Sequence, residues 1–171
     1  MSEAAADFGA EPGGDRERLN FVVEATPLPV VAVDRSGRIA MFNRFAEKLF
    51  GYTRDELLGE TLDRLLPAAS RAGHGKLVTT YLGEPTQRVM GESRSIVGVR
   101  KDGTEVPIEV GLNPVLTRDG AFTLATIIDV SENRRAELRL RAVVDSSPNA
   151  LVLIDDSGNM TLVNTQAERL F

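Results

Sequence analysis

Few residues in this chain could carry chemistry. It has one histidine, His74, and no cysteine among its 171 residues. The lack of cysteine excludes disulfides, thiolate zinc sites and cysteine nucleophiles by inventory. No nucleophile–base pair, metal-binding cluster or phosphate-binding loop is visible, and one histidine cannot serve as both base and ligand. The pattern therefore favours a non-catalytic protein, with His74 as its most interesting side chain.

His74 lies on a predicted helix that carries an apolar stripe at positions i, i+3, i+4, i+7 and i+8. A lone histidine on such a stripe is usually packed by its ring edge and hydrogen-bonded to the backbone. Gly73 and Gly75 flank it, and each lowers helix propensity by about 1 kcal/mol relative to alanine. The glycines leave two interpretations open, room for a flat ligand or a frayed first turn. The stripe consists of His74, Leu77, Val78, Tyr81 and Leu82.

Composition and charge narrow the class of protein. Apolar residues make up 42% and charged residues 26% of the chain, close to the globular average. The 25 acidic residues exceed the 20 basic ones, and the net charge of -5 disfavours a nucleic acid partner. No secretory signal and no run approaching about 18 apolar residues is present. We expect a cytoplasmic protein without membrane insertion.

An internal repeat shows the organisation of the chain. VVEATPLPVVAVDRSGRIAMFNRFAEKLF, from Val22, returns as VVDSSPNALVLIDDSGNMTLVNTQAERLF, from Val143, with 12 of 29 positions identical. The offset of 121 residues is the size of a compact domain and not of a solenoid repeat. The second copy therefore predicts the start of a second domain, whose apolar residues we expect to pair with another chain or to stay mobile.

The remaining patterns predict an α+β domain. A lead-in helix carries Leu19, Val22 and Val23 on one side, and a β-branched run then turns at Asp34 into a hairpin. Short helices, the helix of His74 and three strand patterns in hairpin order follow. Such an order is typical of an antiparallel sheet covered on one face by helices. A further helix, with Ala136, Leu140, Val143 and Val144 on one stripe, links the two copies.

Four stretches closely resemble the PAS sensory domain family. They are FVVEATPLPVVAVDRSGRIAMFN, AEKLFGYTRDELLGETLDRLLP, GVRKDGTEVPIEVGLNPV and IIDVSENRRAE. The resemblance implies a five-stranded antiparallel sheet of order 2-1-5-4-3, helices on one face and a pocket between them. N- and C-terminal signalling helices would flank this fold. The predicted boundaries are a disordered tail at 1–15, an N-terminal cap helix at 16–27, the PAS domain at 28–130, a linker helix at 131–147 and the truncated start of a second PAS domain at 148–171.

Within the family, the absence of cysteine excludes the flavin adduct and the thioester-bound chromophore. The sequence is also similar to the PAS domains of rhizobial oxygen-sensing haem kinases. That resemblance implies a haem b iron bound by His74, with Arg94 as a donor to oxygen or a propionate and aliphatic residues above the haem. Leu77, Thr80 and Glu92 depart from the haem pattern. The implied ligand-binding residues are His74, Leu77, Val89, Arg94, Val110 and Leu112.

The function predicted from these patterns is that of a PAS sensory and dimerisation module. It would belong to a bacterial signal-transduction protein, for which a histidine kinase is the first interpretation and a diguanylate cyclase the second. The module would relay the state of its pocket or dimer through the linker helix. We expect a homodimer formed by the lead-in and linker helices, with a small ligand or haem as partner. The alternative function is a haem-based gas sensor with His74 as the axial ligand; the patterns leave the cofactor unknown.

Overall fold

A computed structural model describes residues 14–90 and 96–170 of the chain. These residues form two compact units, the first ending at Asp129 and the second beginning at Val130. Most of the predicted tail lies outside the described residues, although Gly14 and Asp15 already belong to the first helix.

The first unit is built on one antiparallel sheet. Its order is β2-β1-β6-β5, and both β3 and β4 pair with β5 at the edge. If β3 and β4 are counted as one interrupted strand, this is the predicted order 2-1-5-4-3. The sheet thus has six strands where five were predicted. The strands are β1 (Val30–Asp34), β2 (Ile39–Phe42), β3 (Arg88–Met90), β4 (Ile96–Val99), β5 (Glu105–Thr117) and β6 (Gly120–Asp129).

The helices of this unit begin and end at local signals in the sequence. The Asn43 side chain caps the second helix by accepting from the Ala46 N–H at 2.9 Å, and Gly51 ends it with φ +76°. The Glu56 carboxylate accepts from the Thr53 N–H at 2.9 Å, half of a capping box. The helices are α1 (Gly14–Ala25), α2 (Arg44–Phe50), α3 (Arg54–Leu57), a 3₁₀ helix (Leu62–Leu65) and α4 (Ala68–Gly83).

The main core lies between one face of the sheet and the short helices. Phe42 and Phe50 pack with ring centroids 6.4 Å apart, and β5 adds Val106, Ile108 and Val110 from alternate positions. Alternation along each strand therefore directs one apolar set into this core.

The opposite face of the sheet is covered in part by α1, the predicted N-terminal flanking helix. Val23 of α1 is buried against Val30, Ala32 and Met41, and Leu19 packs beside it. The alternate residues of β1 and β2 are apolar as well, so their second face requires cover.

The same helix is fastened at its N-terminal end. The Arg16 N–H donates to Asp119 at 2.9 Å, and the Arg118 N–H donates to Asp15 at 3.2 Å. Of the predicted α1 stripe, Val22 alone is left exposed. Most of the apolar stripe that was expected to seek a second chain is thus used within the unit.

The second unit repeats the beginning of the first. It contains α5 (Ser131–Asp145), the antiparallel hairpin β7 (Val152–Ile154) and β8 (Met160–Val163), and α6 (Thr165–Leu170). Within the described ranges, no helix is both long enough and apolar enough to cross a membrane.

Candidate functional site

A cavity of about 390 Å³ lies beside His74 in the first unit. Its walls come from the β1–β2 turn (residues 35–37), from residues 61–63 at the start of the 3₁₀ helix, and from one side of α4. On α4, His74, Val78 and Leu82 line the cavity at positions i, i+4 and i+8. Three of the five residues of the predicted helical stripe therefore line this cavity.

The β1–β2 turn is held by a carboxylate at its start. Asp34 accepts from the Ser36 N–H at 2.8 Å and from the Arg38 N–H at 3.1 Å. Burial acts to raise the pKa of Asp34, but the hydrogen bonds from Ser36 and Arg38 outweigh it and lower the pKa. The turn thus keeps a fixed shape against the cavity.

Glycine is required where this turn meets α4. Gly37 has φ +76°, and a Cβ there would lie 3.2 Å from the Cγ1 of Val78. The β1–β2 turn and α4 therefore meet closely within the cavity wall.

The third wall is tied to the sheet by Arg38. Its guanidinium donates to the Gly59 carbonyl at 2.7 Å, and its backbone forms an isolated bridge with Thr61. The Thr61 hydroxyl donates to Asp63 at 3.2 Å. These contacts place the half-buried Asp63 carboxylate on the cavity wall.

The protonation state of His74 follows from its surroundings. Burial lowers the pKa of His74 below its usual 6.5, while the negative charge of Asp63 acts in the opposite direction. The imidazole is therefore neutral at pH 7, with one nitrogen able to donate and the other to accept.

The residues predicted around His74 are not gathered at this cavity. Leu77 lies on the solvent side of α4, with 66% of its surface exposed. Val110 and Leu112 lie on the inner face of β5, in or against the main core. Arg94 lies outside the described residues.

Val89 lies on the opposite face of the sheet from Val110 and Leu112. The register pairs Val89 with Gly111 and Met90 with Val110. Directly paired residues point to the same face, so Met90 shares the inner face with Val110. Val89 is accordingly 62% exposed.

This arrangement does not fit a haem bound by His74. The aliphatic residues implied for the haem lie in the packed core or in solvent, and the cavity beside His74 carries Arg35 and Asp63 on its walls. A porphyrin needs broad apolar walls around the iron.

Arg35, Asp63 and Thr79 line the cavity and were missed by sequence reasoning. Arg35 follows the Asp of a turn that recurs in the second copy at Asp155, so the repeat could have drawn attention to the turn. Nothing in the spacing of the sequence indicates that this turn contacts α4, about 40 residues later along the chain.

The chain is similar in sequence to two curated sensor proteins. The chain is 24% identical over 123 residues to the sensor protein FixL of Bradyrhizobium diazoefficiens, covering 72% of this chain and 24% of the relative. It is 25% identical over 152 residues to the oxygen sensor protein DosP of Escherichia coli, covering 87% of this chain and 19% of the relative. The chain thus spans about a quarter or less of these relatives.

The fold has solved counterparts. The PAS domain of an HTR-like protein from Haloarcula marismortui matches with a TM-score of 0.54 and 22% identity, covering 67% of this chain and 91% of that domain. Residues 17–130 match a protein-family model described as the PAS fold, and residues 138–171 match a second family model described as a PAS domain. Since the first match alone spans two thirds of the chain, this protein belongs to the PAS domain family.

Proposed function

We propose that this chain is the input region of a bacterial sensor histidine kinase, in which the PAS module passes its state to α5. The cell-division control histidine kinase PdhS of Brucella ovis supports this type of parent, being 26% identical over 124 residues, 72% of this chain and 12% of that protein. The PAS module itself senses and relays, and catalysis belongs to other parts of such a protein. The proposal places the module in the cytoplasm.

The observation that carries the proposal is a buried asparagine that fastens the helix preceding each hairpin. In the first unit, the Asn43 Oδ1 accepts from the N–H groups of Val30 and Ala46 at 3.0 and 2.9 Å. Its Nδ2 donates to the carbonyls of Val23 and Leu28 at 3.0 and 2.8 Å. One side chain thus joins the end of α1, the start of β1 and the start of α2.

Asn164 repeats this joint in the second unit. Its Oδ1 accepts from the N–H groups of Leu151 and Ala167 at 2.8 and 3.0 Å. Its Nδ2 donates to the carbonyls of Val144 and Asn149 at 3.2 and 3.0 Å. The end of α5 is thereby fixed to the second hairpin, so a displacement of α5 is passed into that module.

The beginning of α5 follows directly from the first module. Only Val130 separates it from Asp129, the last residue of β6. The Arg100 guanidinium contacts Asp129 at 3.3 Å and donates to the Leu49 carbonyl of α2 at 2.9 Å. We infer that a shift of the helical side of the first module reaches α5 through Arg100.

The proposal includes a parallel homodimer along α5. Ala136, Leu140 and Val143 are exposed and follow the four–three spacing of a coiled-coil seam. Leu138 is also exposed but lies outside this seam. Because Val23 of α1 is buried and Leu19 half-buried on their own sheet, α5 carries the larger part of the proposed interface.

Sedimentation velocity tests the dimer. We expect the wild-type chain to be a dimer, and the double variant Leu140→Glu, Val143→Glu to be monomeric, because charge in a coiled-coil seam opposes pairing. The double variant Leu138→Glu, Ala142→Glu adds the same charge at exposed positions of the same helix outside the seam and should stay dimeric. A monomeric wild type at high concentration, or equal dissociation of both variants, would contradict helix-mediated relay.

A haem-based oxygen sensor is the second candidate, since the chain resembles an oxygen sensor protein over 87% of its length. Because the described residues do not form a haem site, we expect a colourless protein that gains no Soret band when haem is added. A Soret band abolished by His74→Ala would reverse this ranking.

A further inference from the structure

The cavity beside His74 is distinct from the inner face of the sheet. No residue of β5 or β6 lines it, and its volume of about 390 Å³ lies near the lower end for small-ligand sites, about 300–1,000 Å³. It therefore suits a molecule much smaller than a porphyrin.

The two charged residues on its walls have opposite signs. Arg35 is exposed on the β1–β2 turn and forms no ion pair within the described residues. Asp63 is half-buried on the wall formed by residues 61–63 and accepts from the Thr61 hydroxyl. An anion alone would be repelled by Asp63, and a cation alone by Arg35.

The rest of the lining supplies an apolar surface and open space. Leu62, Val78 and Leu82 are half-buried around the cavity. Gly75 also lines the cavity, and an added Cβ there would meet no atom within 4 Å, so the space beside the helix is open at this point. The neutral imidazole of His74 adds one donor and one acceptor.

We propose that this cavity binds a small zwitterion of the α-amino-acid type. The carboxylate lies at Arg35, the ammonium group at Asp63, and an aliphatic side chain against Leu62, Val78 and Leu82. This inference rests on the proposed sensory function, since it names the class of signal that the first module receives.

Three related probes test the ligand class on the intact chain. L-Leucine carries both charges, 4-methylpentanoate lacks the ammonium group, and 3-methylbutylamine lacks the carboxylate. We expect leucine to shift the amide resonances of residues 35–37 and 61–63, with an affinity at least about tenfold above either analogue, because each analogue leaves one charged wall unpaired. Absence of leucine binding, or equal binding of leucine and 4-methylpentanoate, would overturn the proposal.

Variants locate the two charges. Asp63→Asn should remove the preference for leucine over 4-methylpentanoate, and Arg35→Gln should remove the preference over 3-methylbutylamine. Arg139→Gln, an exposed arginine on α5, is the charge-matched control and should bind leucine as the wild type does. If both cavity variants keep the wild-type preferences, the zwitterion does not bind here.

A filling variant tests the position of the ligand without changing charge. Gly75→Leu should occupy the open space and abolish leucine binding. Gly73→Leu is matched to it, since a Cβ at Gly73 also meets no atom within 4 Å and Gly73 does not line the cavity. Equal binding by both variants would place the ligand elsewhere.

These measurements separate this inference from the proposed relay. Leucine binding is read at the first module and requires neither the dimer nor α5. A dimer that responds to the seam variants but binds no leucine would leave the relay intact and reject the amino-acid ligand.

Discussion

The hairpins β1–β2 and β7–β8 come from related sequences and can be compared at an offset of 121 residues. Asn43 and Asn164 make the same four backbone contacts in their two units. The turns agree as well: Gly37 and Gly158 have φ +76° and +84°, each after an aspartate that accepts from nearby N–H groups. Both hairpins also shift register at the equivalent point.

The two hairpins differ in what covers them. Ile39 is 1% exposed, whereas its counterpart Met160 is 70% exposed. In the first unit β1 pairs with β6 as well as β2, while β7 pairs only with β8 within the described residues. Local hydrogen bonds are thus sufficient to specify the hairpin, and burial depends on strands from distant parts of the chain.

Truncating an apolar side chain at the equivalent position of each hairpin should give the largest difference in stability between them. Ile39→Ala should lower the free energy of unfolding of the first unit by about 2–5 kcal/mol, because it leaves a cavity in a packed core. Met160→Ala, at the equivalent exposed position, should change the free energy of unfolding of its own unit by less than about 0.5 kcal/mol. Urea unfolding followed by tyrosine fluorescence reports on the first unit alone, since both tyrosines, Tyr52 and Tyr81, lie there, and amide hydrogen exchange at β7 reports on the second unit. Similar losses for both variants would mean that the second hairpin is as well packed as the first.

Removing the buried asparagines tests whether the joints are independent. Asn43→Ala should destabilise the first unit by about 2–3 kcal/mol, because buried backbone groups lose their partner. Asn164→Ala should leave the tyrosine-detected transition unchanged and instead speed amide exchange at Leu151 and Ala167. Loss of first-unit stability in Asn164→Ala would show that the units unfold together.

The pH dependence should distinguish the units through His74, which lies in the first. Because its pKa is lowered on folding, the unfolded chain binds the proton more readily, and stability falls as the pH drops through the region just below 6.5. We expect the melting temperature of the wild type to fall more between pH 7 and pH 5.5 than that of His74→Gln. An equal decrease in both proteins would contradict a half-buried neutral imidazole.

The smallest expected effect lies in the aspartates of the two turns. Hydrogen bonds lower the pKa of Asp155; those from Asn159 contribute most, and those from Ser157 and Gly158 add to them. Hydrogen bonds from Ser36 and Arg38 lower the pKa of Asp34 in the same way. Their contribution to stability is present above the usual carboxyl pKa and is lost as the pH falls through the lowered value. Carbon-detected NMR titration should find a pKa below the usual 3.8 for both carboxyl groups. An unshifted Asp155 would show that the second turn does not form in solution.

Features encoded by neighbouring residues could be predicted from the sequence. The turns at Asp34 and Asp155, the end of α2 at Gly51 and the alternation along β5 all appear in the structure. Each depends on backbone hydrogen bonds or on a periodicity within a few residues. The order of the strands followed from the family resemblance and not from these local patterns.

Only the tertiary structure decided which surfaces meet. The register of β3 with β5 places Met90 and not Val89 beside Val110, and a shift of one residue would exchange them. Likewise, α1 packs on the sheet although its stripe was expected to contact a second chain. Arg35, Asp63 and His74 share a cavity because the turn at Gly37 approaches α4 closely. Such contacts join residues far apart in the chain, and local propensity carries no information about them.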